Sequence, residues 1–152
     1  MFVGVFACLA LLSAGCGSTS STSVAVSHTL RGVLTLSDSS GVLLARLPNG
    51  ECQGAAQNGF SEYVPGASVT VTDAHAHLLA SGTLDPGKSS GGGDTCSMDF
   101  TVRDLPTTNF YVITAAGHLG VTHPLSDLEA SGWFVNLGMG ASEGGGLGVS
   151  AG

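Results

Sequence analysis

The sequence predicts an all-β domain, an antiparallel β-sandwich of about seven short strands with one disulfide. Three observations carry this. The stretch Cys96-Ser97-Met98-Asp99-Phe100-Thr101-Val102 alternates apolar and polar residues without a break. A period of two puts Cys96, Met98, Phe100 and Val102 on one face and Ser97, Asp99, Thr101 and Arg103 on the other, the pattern of a strand with one face on a core and one in water. Short apolar runs elsewhere are separated by turn signals at intervals of about 8–12 residues. Two cysteines, Cys52 and Cys96, are left to the domain once the N-terminal pair is assigned.

The N-terminal pair is Cys8 and Cys16. Phe2 to Leu12 is an apolar run of about 11 residues, too short for a bilayer core that needs about 20. It fits the apolar centre of a secretory signal followed by small residues. Leu12-Ser13-Ala14-Gly15-Cys16 resembles the lipobox of a bacterial lipoprotein signal. The resemblance implies that residues 1–15 are removed, that Cys16 becomes the acylated N-terminus, and that the protein sits on the extracytoplasmic side of the cell membrane. Several acyl chains anchor stably, because each buried CH₂ contributes about 0.8 kcal/mol. The position that the lipobox usually gives to Leu is held here by Ser13, so a plain secretory signal cleaved nearby stays open as the alternative, as does a buried N-terminal segment. Residues 16–27 are Ser/Thr-rich without periodicity and read as a tether.

Cys8 leaves with the signal and Cys16 takes lipid. Cys52 and Cys96 then form an even pair in an oxidising compartment, which predicts a disulfide. It closes a loop of about 45 residues and contributes on the order of 3–4 kcal/mol in the chain-entropy model. Two free buried thiols are the alternative. A metal is the weaker reading, since neither cysteine has a second ligand at Cys-x-x-Cys spacing.

Residues 28–138 are expected to form the domain. Thr29 to Leu36 reads as the first strand, with Leu30, Leu34 and Leu36 on one face, and Asp38-Ser39-Ser40-Gly41 as a turn. Val42 to Leu47 reads as a short second strand. Pro48 to Val64 reads as a long irregular connection held by Cys52. Ser68 to Asp73 and His77 to Leu84 form a hairpin around Ala74-His75-Ala76. Asp85 to Asp94 reads as loop, and the Cys96 strand follows. Leu105-Pro106-Thr107-Thr108 turns the chain into Phe110 to Ala115. Gly120 to His123 is a short strand, and Pro124 to Ser131 holds one helical turn with Leu125 and Leu128 inward. Trp133 to Leu137 is the last strand. Residues 139–152 are Gly-rich and expected to be disordered. The expected core is Leu34, Val69, Val71, Leu84, Met98, Phe100, Val102, Tyr111, Ile113, Trp133, Val135 and Leu137.

The order Pro65-Gly66-Ala67-Ser68-Val69-Thr70-Val71-Thr72-Asp73, Gly82-Thr83-Leu84, Phe100 to Pro106, then Phe110-Tyr111-Val112-Ile113 resembles the carboxypeptidase-regulatory-like and collagen-adhesin B-type domains. The resemblance covers residues 64–116. It implies a transthyretin-like (prealbumin-like) sandwich, with an Ig-like one as the neighbouring architecture, and a structural, adhesive or accessory role.

Charge and motifs exclude more than they assign. The net charge is -7, and Arg31, Arg46, Lys88 and Arg103 are the only strong cations. With no basic patch to hold a phosphate backbone, nucleic acid is not an expected partner. Gly82 to Ser89 matches the P-loop pattern G-x-x-x-x-G-K-S, but a Ser/Gly run follows where a phosphate-binding helix is needed. Gly140-Ala141-Ser142-Glu143-Gly144 matches G-x-S-x-G in a Gly-rich segment with nothing to position a base. His75 and His77, two apart, are weak candidates for zinc or copper. Asp85, Asp94 and Asp99 could supply oxygen ligands for calcium, but without the spacing of an EF-hand loop. No cofactor and no catalytic residue is expected. The expectation is a non-enzymatic, lipid-anchored envelope module with an envelope protein or glycan as partner, the alternative being a small-ligand or metal-binding accessory lipoprotein.

Overall fold

A computed structural model describes residues 26–56, 60–118, 120–141 and 147–151. The signal segment 1–15, the lipidation site Cys16, the tether up to residue 25 and the Ser142 motif lie outside the described residues.

The chain is a β-sandwich of two sheets. Among the described residues the strands are β1 (Ser27–Ser37), β2 (Leu44–Arg46), β3 (Glu51–Gly54), β4 (Ser68–Thr72), β5 (Leu78–Thr83), β6 (Gly87–Ser90), β7 (Thr95–Pro106), β8 (Phe110–Ala115), β9 (Val121–Pro124), β10 (Phe134–Ala141) and β11 (Leu147–Ala151), with one α-helix, α1 (Leu125–Ala130), and a 3-10 turn at Gly91–Gly93. The large sheet runs β11-β10-β1-β7-β6-β3-β2 and the small one β5-β4-β8-β9. All pairings are antiparallel except β1 with β10, which run parallel. The chain reaches β10 from the small sheet through α1, and this crossover sets its direction.

The described residues hold eleven strands, where the sequence predicts about seven. Two of the extra ones are strands that hydrophobic alternation cannot announce. β3 lies inside the expected Pro48–Val64 connection and β6 inside the expected Asp85–Asp94 loop. Their sequences, Glu-Cys-Gln-Gly and Gly-Lys-Ser-Ser, owe strand form to pairing: Cys52 is opposite Gly87, and Ser89 is opposite Cys96. The Gly-rich end also departs from the expected disorder. β10 continues through Ala141, and β11 pairs back onto it from Leu137↔Ala151 to Ala141↔Leu147. Glycine lowers strand propensity, yet a neighbouring strand offers its amides and carbonyls ladder partners.

Cys52 and Cys96 are joined in a disulfide, with Cα atoms 5.8 Å apart. Gly87 makes room for it: a Cβ there would lie 2.6 Å from Cys96 Sγ and 2.2 Å from the Cys52 carbonyl oxygen.

The core lies between the sheets. β1 contributes Leu30, Leu34 and Leu36, β7 contributes Met98, Phe100 and Val102, and β10 contributes Val135, Leu137 and Met139. Val69, Val71, Tyr111 and Ile113 face them from the small sheet. Each large buried side chain contributes about 1.5–3 kcal/mol. Phe60, Tyr63 and Leu105 are fully buried from loop or strand-end positions. Trp133 departs from the expected last strand and core. It is half-buried ahead of β10, with φ at +62°, because its amide closes α1 by donating to the Leu128 carbonyl at 2.7 Å. Its ring stacks on His28, with centroids 3.9 Å apart, and meets Tyr111 edge-on. The Tyr111 hydroxyl accepts from the Thr108 amide and donates to the Pro106 carbonyl, fixing the turn from β7 to β8.

The sheets join along one edge. The backbone of β5 runs against β7: Leu84 bridges to Phe100, and the Asp85 amide donates to the Asp99 carbonyl at 2.8 Å. Gly82 allows this approach, since a Cβ there would lie 2.2 Å from the Thr101 carbonyl oxygen. At the opposite edge β9 has no backbone pairing to the large sheet among the described residues. There α1 packs with Leu128 buried.

Candidate functional site

Three places outside the plain core carry chemistry. The first is the hairpin tip. His75 and His77 stand there together, ring centroids 6.0 Å apart, both exposed. Asp73 organises the tip. Its Oδ1 accepts from the His75 and His77 amides at 2.8 and 2.9 Å, and its Oδ2 meets His77 Nδ1 at 3.0 Å. The His77 amide, with the His75 amide and the His77 ring, holds the Asp73 carboxyl below its ordinary range. That is an Asx-type turn closing a hairpin. Among the described residues no group of three or more His, Cys, Asp or Glu side chains is arranged to hold a metal ion.

The second place is a cleft between the sheets on the β9 side. It is lined by Leu34, Leu137 and Met139 from the large sheet, Ile113, Ala115 and Val121 from the small one, and Tyr63 and His118. Room for water amounts to about 10 Å³, about one molecule. Tyr63 is fully buried, and its hydroxyl has no hydrogen-bond partner among the described residues. Burial, helped by the Glu62 carboxylate, pushes the phenol further above its ordinary value, so it stays protonated. His118 stacks on the Tyr63 ring, centroids 5.0 Å apart, and its Nε2 lies 2.7 Å from Glu62 Oε2. Two residues beyond Val121, His123 Nε2 is also buried without a partner among the described residues. Desolvation lowers the His123 pKa, against a smaller opposite pull from Asp127.

The third place is a groove on the outer surface where β5 meets β7. Ser81, Thr83, Asp85, Thr101 and Arg103 line it, and it holds about 380 Å³ of water-accessible space. The alternation that buries Met98, Phe100 and Val102 turns Thr101 and Arg103 outward. Ser81 and Thr83 are exposed on β5. The joined edge therefore makes one polar surface from residues of two sheets. Lys88 Nζ donates to Asp99 Oδ2 at 2.7 Å beside it.

Of the expected site residues, the structure brings Cys52 and Cys96 into a bond and His75 and His77 onto one tip. The P-loop-like run is strand, turn and strand: Gly82 and Thr83 end β5, and Lys88 and Ser89 lie inside β6 with only a three-residue 3-10 turn, Gly91–Gly93, beyond it, so no α-helix opens at Lys88 to cradle a phosphate. Sequence reasoning offered Asp85 only as a weak calcium ligand and missed Tyr63, Ser81, Thr83, Thr101 and Arg103 as site residues. The outward half of the alternation at Thr101 and Arg103 was the available signal, but the approach of β5 was not written in it. No family model, curated protein or solved structure matches the chain.

Proposed function

We propose that this chain is a non-enzymatic binding or structural module of the cell envelope, held outside the membrane by lipid on Cys16, with secretion without lipid as the alternative. The single observation behind a binding role is the open polar groove over the β5/β7 seam. It lies on a sandwich pinned by backbone bridges and a disulfide, and a rigid scaffold lowers the entropic cost of binding. The lipobox-like Leu12–Cys16 segment and the Ser/Thr-rich tether support the location, and the resemblance of residues 64–116 to carboxypeptidase-regulatory-like domains supports an accessory role. Cross-linking in intact cells, followed by pull-down of the detergent-solubilised protein, tests the role: a reproducible envelope partner is expected, and a protein that comes down alone counts against it. Intact mass of the membrane-fraction protein tests the anchor. An unmodified mass beginning upstream of Cys16 would sink it.

The alternative, a small-ligand or metal-binding accessory lipoprotein, is favoured by one observation, the exposed pair His75 and His77 beside Asp73 at the hairpin tip. A ligand that binds only the folded state raises the melting temperature. Zinc and copper ions that leave it unchanged dispose of this reading.

A further inference from the structure

We infer that the outer face running from the groove across β7, β1 and β10 binds an acidic polysaccharide. This rests on the binding-module reading above and names its ligand class.

The strand register sets the argument. Thr101 is opposite Arg31 across β7 and β1, and Arg31 is opposite Phe134 across β1 and β10. All three lie on the outward half of their strands, because Leu30, Val102 and Val135 fill the inward half. Thr101, Arg31 and Phe134 therefore form one row across three strands. At the usual spacing between strands the row is about 10 Å long. Arg103 lies on the same outward side two residues beyond Thr101. The groove continues the row past β7 with Ser81, Thr83 and Asp85.

Each group has a task on a sugar chain. Phe134 is 43% exposed, a large aromatic ring left in water beside Arg31 on the outer sheet face, and an apolar ring face accepts the C–H face of a pyranose. The hydroxyls of Ser81, Thr83 and Thr101 both donate and accept, as sugar hydroxyls do, and Asp85 accepts only. The two guanidiniums decide for an acidic sugar. Arg31 and Arg103 have no ion pair or side-chain hydrogen bond among the described residues, and Asp85 shares the groove without coming within ion-pair reach of Arg103. In a chain of net charge -7, two unpaired arginines on one face stand out. Guanidinium presents a planar fork of N–H donors that matches a carboxylate or sulfate in bidentate fashion. The row exceeds the width of one ring, so the ligand is a chain of sugars.

The test uses the full-length protein purified in detergent. Hexamers of galacturonic acid, hyaluronan and chondroitin sulfate are titrated calorimetrically, beside a neutral dextran oligosaccharide and polyglutamate. Saturable binding to at least one acidic glycan is expected, with dextran and polyglutamate much weaker. R31Q and R103Q should each weaken it about tenfold, the loss of a charge-assisted hydrogen bond, and F134A should weaken it severalfold. All three positions are exposed, so unchanged melting temperatures certify the variants. Binding to none of the three glycans overturns the inference, as does polyglutamate binding equally well or R31Q and R103Q leaving affinity unchanged. Fractionation of Cys16→Ala cells reads the anchoring proposal separately, so either idea can fail alone.

Discussion

The two long edges of the sandwich are closed by different means. At the β5/β7 seam the closure is backbone: a bridge from Leu84 to Phe100, an amide of Asp85 on the Asp99 carbonyl, and a glycine where any side chain would collide. At the β9 edge the closure is side chains and a short helix. The two buried polar atoms without partners among the described residues, Tyr63 Oη and His123 Nε2, both lie on that side. An edge closed by main-chain hydrogen bonds satisfies its own polar groups. An edge closed by side chains must satisfy each one by placement, and here two are left over. The seam side supplies rigidity and an outward groove, and the β9 side holds the molecule's slack.

The largest way to break this contrast is to remove the disulfide, which ties β3 to β7 in the seam half. Cys52→Ala with Cys96→Ala is expected to cost on the order of 4 kcal/mol, read as a shift of the urea midpoint. Little or no shift would mean that the strand pairing alone holds β3, β6 and β7 together. Gly82→Ala comes next. Its Cβ would press on the Thr101 carbonyl, and overpacking of this kind costs about 1–3 kcal/mol. Gly66→Ala is the control, since its added Cβ meets no neighbouring atom but its positive φ carries a strain penalty alone. Equal losses at the two sites would speak against the steric seam.

The turn after β1 in the same half provides an acid lever. Burial would raise the Asp38 pKa, but the Ser40 hydroxyl and the amides of Leu43, Leu44 and Ser40 outweigh it and hold it below the ordinary value. The Gly41 amide donates to Oδ1 as well, at 2.9 Å. A carboxyl with a depressed folded pKa contributes stability that is full above its unfolded value, about 3.9, and is lost as pH falls through the folded value. Asp38→Asn is expected to cost about 2 kcal/mol at neutral pH and to flatten the acid limb of the stability profile below about pH 4. An unchanged acid limb would assign that limb to other carboxylates.

The smallest effects belong to the β9 side, and their sign is reversed. Tyr63→Phe removes a buried hydroxyl without a partner and is expected to stabilise by about 1 kcal/mol, seen in the melting temperature. A loss instead would reveal a partner in solution, a water or a ligand in the cleft. Burial holds the folded pKa of His123 below the ordinary value of about 6.5. Between those values the unfolded chain binds more protons, so stability falls as pH drops below about 6.5. His123→Leu should remove that slope. A slope that survives belongs to another histidine.

Much of the fold was legible because alternation is a direct record of one-sided burial. Val69 and Val71, Met98, Phe100 and Val102, and Tyr111 and Ile113 all point inward as their spacing requires. The cysteine pairing followed from counting. The missing strands, β3, β6 and β11, are short and each contains glycine, and β3 and β6 have no apolar alternation and take strand form from partners distant in sequence. Phe60 and Tyr63 belong to no alternating run, yet they are fully buried. The groove was hidden for a further reason: Thr83 and Thr101 read as ordinary outward strand residues until Gly82 lets their strands meet.

The parallel pairing of β1 with β10 has a consequence for how the chain is made. β1 sits inside the large sheet between β7 and β10, and its register partners on β10 begin with Arg31 and Phe134. One flank of β1 therefore stays open until synthesis has passed Phe134. Contacts this far apart in sequence slow folding, because loop closure precedes any gain from pairing. Throughout that interval the unpaired edge of β1, with Leu30, Leu34 and Leu36 beside it, is the segment most in need of a chaperone.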